Sequence, residues 1–286
     1  MPSLKQLKNL DTIDSAYLDK AIVYLESEDD VQIIKERWFF DEGRYVEFKS
    51  TDDGLGGGCE RVIDRVILDR SNGVKAFGII DRDVLLRCGH WNIWWETNDS
   101  KFAAASPFEE NVQVLRRWEI ENYLLTPNEL EIVLSDRDFR TARPTQEVIN
   151  ILLKQAEDLK ILSAAAILCH KKSLTFPDGF GNNIHGEALS KLVTQYLTKH
   201  IDDLSSELLP EYIEKVEAFA EGISTTTYKR WDRLNRMLDG KRVLQRLGLF
   251  GSSITDRRGD LARHIRINQK IDPEFRELLK VFKEAL

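Results

Sequence analysis

The chain has 286 residues, 41 of them basic and 48 acidic, for a net charge of −7, with 42% hydrophobic and 31% charged side chains. At roughly 150 residues per domain this suggests two domains, and the composition excludes disorder as the main state. No run approaches the roughly 18 apolar residues of a membrane span, the opening MPSLKQLKNLDTID lacks a secretory apolar stretch, and Cys59, Cys88 and Cys169 are too few and scattered for a disulfide framework.

The expectation is therefore a reduced, cytoplasmic protein with no membrane association. In chain order, Ala21 to Leu25 (AIVYL) reads as a short strand. Acidic residues follow, and then Val31, Ile34 and Trp38 recur at helical spacing. Arg44 to Phe48 (RYVEF) predicts a second strand, which leads into a glycine-rich turn at Asp53 to Gly58. A helix with Val62, Val66 and Ile67 on one side comes next. Lys75 to Ile80 (KAFGII) predicts a third strand and Asn111 to Leu115 a fourth, running into RRWEIENYLL. Strands alternating with helices predict a parallel α/β sheet covered on both faces. Beyond Thr126-Pro127 the periodicity is helical only, over Glu147 to Leu168, Leu189 to Leu204, Glu211 to Phe219, Asp232 to Leu249 and Glu274 to Ala285. The expected boundary near residue 126 gives an α/β domain over 1–125 and an all-helical domain over 126–286.

Two acidic clusters stand just past predicted strands, where open α/β sheets carry their chemistry. Glu26 and Asp30 follow AIVYL; Asp81 and Asp83 follow FGII as Asp-Arg-Asp. Four converging carboxylates are costly without a cation, and oxygen-only ligands favour Mg²⁺ or Mn²⁺ over Zn²⁺. Such an ion suits phosphoryl chemistry. Each piece also has an ordinary explanation. Acidic residues suit a helix start, where Asp30 could do no more than cap, and surface turns often produce a lone Asp-x-Asp. The turn at 53–58 has no nucleotide-binding spacing and is expected only to turn tightly or to let a phosphate backbone approach. Cys88-Gly89-His90 lacks the partners of a zinc site. Trp91, Trp94 and Trp95 are expected to pack on the sheet rather than stack with bases.

Charge is unevenly spread. From Thr225 to Lys270 there are twelve Lys or Arg against four Asp, a local excess of eight, so the remainder of the chain carries −15. Arg230, Arg233, Arg236, Arg242, Arg257 and Arg258 are the candidates within this block for contact with nucleic acid or a protein partner. Solvated helix faces would give the same composition.

With YLESEDD, the glycines after the second strand and FGIIDRD, the chain resembles the TOPRIM domain of topoisomerases, primases and OLD-family nucleases. RRWEIENYLL and a helical tail with Asp239-Gly240-Lys241 are similar to a narrower group, the nuclease effectors of PARIS-type anti-phage systems. The resemblance implies that Glu26 is the catalytic glutamate and that Asp30, Asp81 and Asp83 bind Mg²⁺, with Mn²⁺ as a substitute. It further implies that Glu119 or Glu121, of which Glu121 is preferred, serves a second metal, and that Lys241 is a phosphate-stabilising catalytic lysine. No G-x-x-x-x-G-K-[ST] occurs, so an ABC-type ATPase partner would supply any ATP dependence. The same resemblance implies an effector held silent by that ATPase and, once released, acting as a homodimer that cleaves host tRNA. Two other readings compete. One is a HAD-like phosphatase with Asp81 as nucleophile, although Leu85 stands where that family has threonine or valine. The other is a catalytically silent scaffold that binds an ATPase.

Overall fold

The computed structural model describes residues 20–52, 58–138, 141, 143–201, 205, 207–251 and 256–286. The glycine-rich turn, apart from Gly58, lies outside them. The chain forms two compact units: Met1–Ile80 with Ser106–Val114 and Ile265–Leu286, and Asp81–Ala105 with Leu115–His264. A single division at residue 126 does not describe this pattern, because the chain passes between the units more than once.

The first unit opens with β1 (Ala21–Leu25), which is buried along its whole length, as the central strand of a two-faced sheet must be. Ser27 then caps α1 (Glu28–Val31). Its hydroxyl accepts from Asp30 N at 3.2 Å while the Asp30 carboxylate accepts from Ser27 N at 3.0 Å. A π-helical stretch (Gln32–Trp38) continues it. β2 (Val46–Ser50) is buried only at Val46 and Phe48 among alternating positions, the pattern of an edge strand. α2 (Cys59–Ser71) leads to β3 (Ala76–Ile80), also fully buried.

Three short helices of the second unit follow, α3 (Val84–Arg87), α4 (Trp91–Trp94) and α5 (Asp99–Ala103), before β4 (Val112–Val114) completes the sheet. The order is β2-β1-β3-β4, with every pair parallel. Each parallel connection must cross over the sheet, which is why helices cover it. α2 lies close on β3 at Gly78, where a Cβ would stand 2.7 Å from Val62 Cγ1. Its neighbour Phe77 points to the opposite face and meets Phe282 of the last helix, with ring centroids 4.8 Å apart. Ile67, expected beside Val62 and Val66, instead lies 46% exposed, one position past the turn that faces the sheet.

RRWEIENYLL forms a 3₁₀ turn over Ile120–Leu124. The helices after it are α6 (Pro127–Asp138), α7 (Thr145–Lys171), α8 (Gly186–His200), α9 (Leu208–Glu217), α10 (Tyr228–Leu234), α11 (Gly240–Arg246), α12 (Arg258–Ile267) and α13 (Pro273–Glu284). α7 is the axis of the second unit. Its Ser163–Ala164–Ala165–Ala166 run is buried, and such small side chains let neighbouring helices pack close. The single helix expected over Asp232 to Leu249 is two, α10 and α11. Asp239 caps the second, accepting from Arg242 N at 2.9 Å. Of the tryptophans, Trp94 is fully buried edge-on to Trp118, 5.0 Å between centroids.

Candidate active site

Within the first unit, β1 and β3 are neighbours and run in the same direction, so the chain leaves both at one edge of the sheet. Glu26 is the first residue past β1 and Asp81 the first past β3. Glu26 and Asp30 belong to the first unit, and one Asp30 oxygen is engaged in the capping box described above. Asp81, Asp83, Glu119, Glu121 and Lys241 belong to the second.

In the Asp81-Arg82-Asp83 turn the side chains alternate. Arg82 is 1% exposed, and its guanidinium donates to the carbonyls of Arg116 at 2.7 Å and Trp94 at 2.5 Å. It also lies over the ring of Phe102, 4.4 Å from the centroid. The two aspartates remain half-buried. Burial lifts the Asp83 carboxyl above its ordinary range, although a third of the side chain stays open. Arg87, 3.3 Å away, opposes that rise, and the charge of Glu119 adds to it.

Lys241 sits in the first turn of α11. Its backbone N donates to Glu119 Oε1 at 2.6 Å and its ammonium to Glu119 Oε2 at 3.0 Å, with Glu121 Oε2 at 3.8 Å. The charge of Glu119 holds the ammonium firmly protonated. Burial opposes this, and Glu121 and Asp81 reinforce it. The second unit therefore gathers Asp81, Asp83, Glu119, Glu121 and Lys241 into one electrostatic neighbourhood. The two glutamates differ in their partners: Glu119 grips Lys241, whereas Glu121 is paired with Arg258 at 2.9 Å.

What brings these segments together is Asn122. Its amide donates to the carbonyls of Asn235 at 2.7 Å and Leu238 at 2.8 Å, and its oxygen accepts from Glu119 N at 3.0 Å. Three residues at this site were given no role in the sequence reading. Asn122 stands inside RRWEIENYLL without a motif of its own. Asp239, pushed up to about 6 by burial and then by Glu119, lies within the Asp-Gly-Lys segment. His170, held below its usual range by burial against the pull of Asp83, left no signal at all.

Among the described residues no group of three or more His, Cys, Asp or Glu stands ready to hold a metal. The donor chemistry of Asp81 and Asp83 nonetheless fits a hard divalent ion. Both offer only oxygen, and an ion would offset the burial that raises the Asp83 carboxyl. Glu119 and Glu121 fit less well, being already neutralised by Lys241 and Arg258.

The basic block is largely turned inward. Arg242 is 5% exposed and donates to Asp239 and to the carbonyls of Pro177 and Phe180; Arg230 is 9% exposed and paired with Glu217. Arg233 and Arg236 converge on Asp99, and Arg258 is shared between Asp256 and Glu121. Of the six candidates for surface contact, Arg257 is the most open, at 42%. Composition could not reveal this, since it does not say which carboxylate each arginine meets: Asp239 and Asp256 lie close in the chain, Asp99 and Glu121 far away.

Asp99 gives a measurable consequence. Burial works against its ionisation, but Arg236, then Arg116 and Arg233, hold its carboxyl below the ordinary range. Because the folded pKa is depressed, this stabilisation is present above the unfolded value of about 4 and is lost as pH falls through the folded one. Asp99→Asn should cost about 1 kcal/mol at pH 7, discounted for the 39% exposure of the side chain. In urea titrations the gap from wild type should close below about pH 4; a gap independent of pH would show that charge is not its source.

No helix among the described residues is long and apolar enough to cross a membrane. Set against known proteins, the chain matches no family model, no curated protein and no solved structure.

Proposed function

We propose that the chain is a Mg²⁺-dependent endonuclease of TOPRIM type, with Mn²⁺ as a possible substitute. The observation that supports this most is the sheet order. Two adjacent parallel strands are each followed at once by an acidic residue, Glu26 and Asp81, and Lys241 lies within reach of the Asp81 charge.

In this proposal Asp81 and Asp83 would hold the ion, with Asp30 as the further ligand that the TOPRIM resemblance implies, and Glu121 would have to exchange Arg258 for it. When bound, the ion supplies stabilisation of charge developing on phosphate oxygens. Glu26 takes the proton of the attacking water. Lys241, whose backbone N and ammonium each meet one Glu119 oxygen, would supply the phosphate with a fixed cation. The finer proposal is that of an anti-phage effector of PARIS type, silenced by an ABC-type ATPase and cleaving host tRNA as a homodimer.

The test is cleavage of bulk tRNA by the purified full chain in Mg²⁺, against Glu26→Ala and Asp81→Asn, with circular dichroism confirming that both variants fold. Cutting by wild type alone, abolished by EDTA, is the expected result. Undiminished cutting in EDTA or by either variant would reject the mechanism. A wild type that leaves tRNA intact but hydrolyses small phosphate esters would favour a phosphatase.

A further inference from the structure

The second unit also contains a cavity of about 470 Å³. That lies within the roughly 300–1,000 Å³ of small-molecule sites. Val133 is the apolar residue of its lining. One wall is the end of α6, with Asp136 and Arg137; the other is the start of α12, with Arg257, Asp260, Arg263 and His264.

The walls are fixed by backbone contacts. Arg257 N donates to Leu249 O at 2.9 Å, tying the approach to α12 to the end of α11. Arg137 is held by the carbonyls of Leu247 and Gly248 and by Asp138. Gly248 has a φ of +68°, and a Cβ there would stand 2.8 Å from Arg137 Nη1, so this wall depends on glycine.

The lining charges divide into those already engaged and those not. Arg137 is satisfied as above, and Arg257 meets Asp260 at 3.3 Å. The side chains of Arg263, His264 and Asp136 have no hydrogen bond or ion pair among the described residues. With Asp138 on Arg137 and Asp260 on Arg257, the guanidinium left for an incoming anion is Arg263, beside the ring nitrogens of His264. Guanidinium geometry suits phosphate in particular. A carboxylate accepts only, so Asp136 calls for a ligand that also carries hydroxyl donors.

We infer that this cavity binds the phosphate and sugar of one ribonucleotide unit, through Arg263 and His264 on the phosphate and Asp136 on the sugar hydroxyls. The inference does not rest on the nuclease proposal, because the cavity shares no lining residue with the acidic site. The unit could belong to a free nucleotide or to an RNA strand, and the experiment separates the two.

The full chain, kept in EDTA so that no metal-dependent cleavage intervenes, is titrated calorimetrically with AMP, dAMP, inorganic phosphate and a short single-stranded RNA. Arg263→Glu should weaken AMP or RNA binding about tenfold or more, the loss expected for a hydrogen bond to a charged group. Lys199→Glu, an exposed change of equal charge elsewhere in the unit, should leave binding within twofold or so of wild type. Asp136→Asn should narrow the preference for AMP over dAMP. Arg263 is exposed and unpaired among the described residues, so the melting temperature of its variant should match wild type. Binding of AMP identifies a free nucleotide, and binding of the RNA alone identifies a strand. Phosphate binding as tight as AMP overturns the sugar assignment. No binding of any probe, or equal weakening by Lys199→Glu, overturns the site. Capture of an acidic peptide in place of every nucleotide would also overturn it.

Discussion

Replacing Gly240 with alanine should destabilise the protein by about 2–3 kcal/mol, although alanine is the better helix former by up to about 1 kcal/mol. Gly240 is the first residue of α11, and a Cβ there would stand 2.7 Å from Asn122 Oδ1, 2.8 Å from its backbone N and 2.9 Å from its Cγ. Two of these atoms belong to an amide already committed to buried bonds with Asn235, Leu238 and Glu119, and the third is main chain. None can swing aside as the tip of a flexible side chain could. Relief must come from moving α11 away from the 3₁₀ turn, which strains the bonds of Lys241 to Glu119. Urea unfolding should therefore shift to lower midpoint, and any activity that depends on Lys241 should fall with it. An alanine variant as stable as wild type would show that the two segments separate at little cost.

Arg82→Met should cost more, about 3–4 kcal/mol. Replacing a buried ion pair by apolar groups is often harmless, because both charges leave together. The partners shown for Arg82 include the carbonyls of Arg116, Trp94, Ile93 and Glu96, which remain when the guanidinium goes. Methionine fills the volume among Trp94, Phe102 and Phe219 but offers no donor, and buried acceptors without donors carry the full desolvation penalty. Arg82→Lys keeps the charge but replaces a planar fork by one ammonium, and should fall between the two. Equilibrium unfolding of the three proteins checks the ranking. A methionine variant within about 1 kcal/mol of wild type would mean that water reaches the carbonyls. Arg82 lies between Asp81 and Asp83, so its loss should also loosen the turn that presents both carboxylates.

The strands were legible because their signal is local. AIVYL and the AFGII of KAFGII are short apolar runs, and they are the two fully buried central strands. The helix from Asp232 to Leu249 was misread because apolar periodicity continues across Asp239-Gly240, where a cap and a close contact end one helix and start another. Arg82 read as the spacer of an acidic motif, yet it is among the largest fully buried side chains.

Residue order alone determined a parallel α/β sheet, a helical remainder and acidic residues directly after two strands, since each follows from period, turn chemistry or adjacency in the chain. Only the folded structure decided which charges face solvent and which carboxylate meets which cation. Arg233 and Arg236 find Asp99 more than 130 positions away, and Lys241 finds Glu119 at a separation of 122. An ion pair depends on distance in space, and no local pattern encodes a distance that only packing creates.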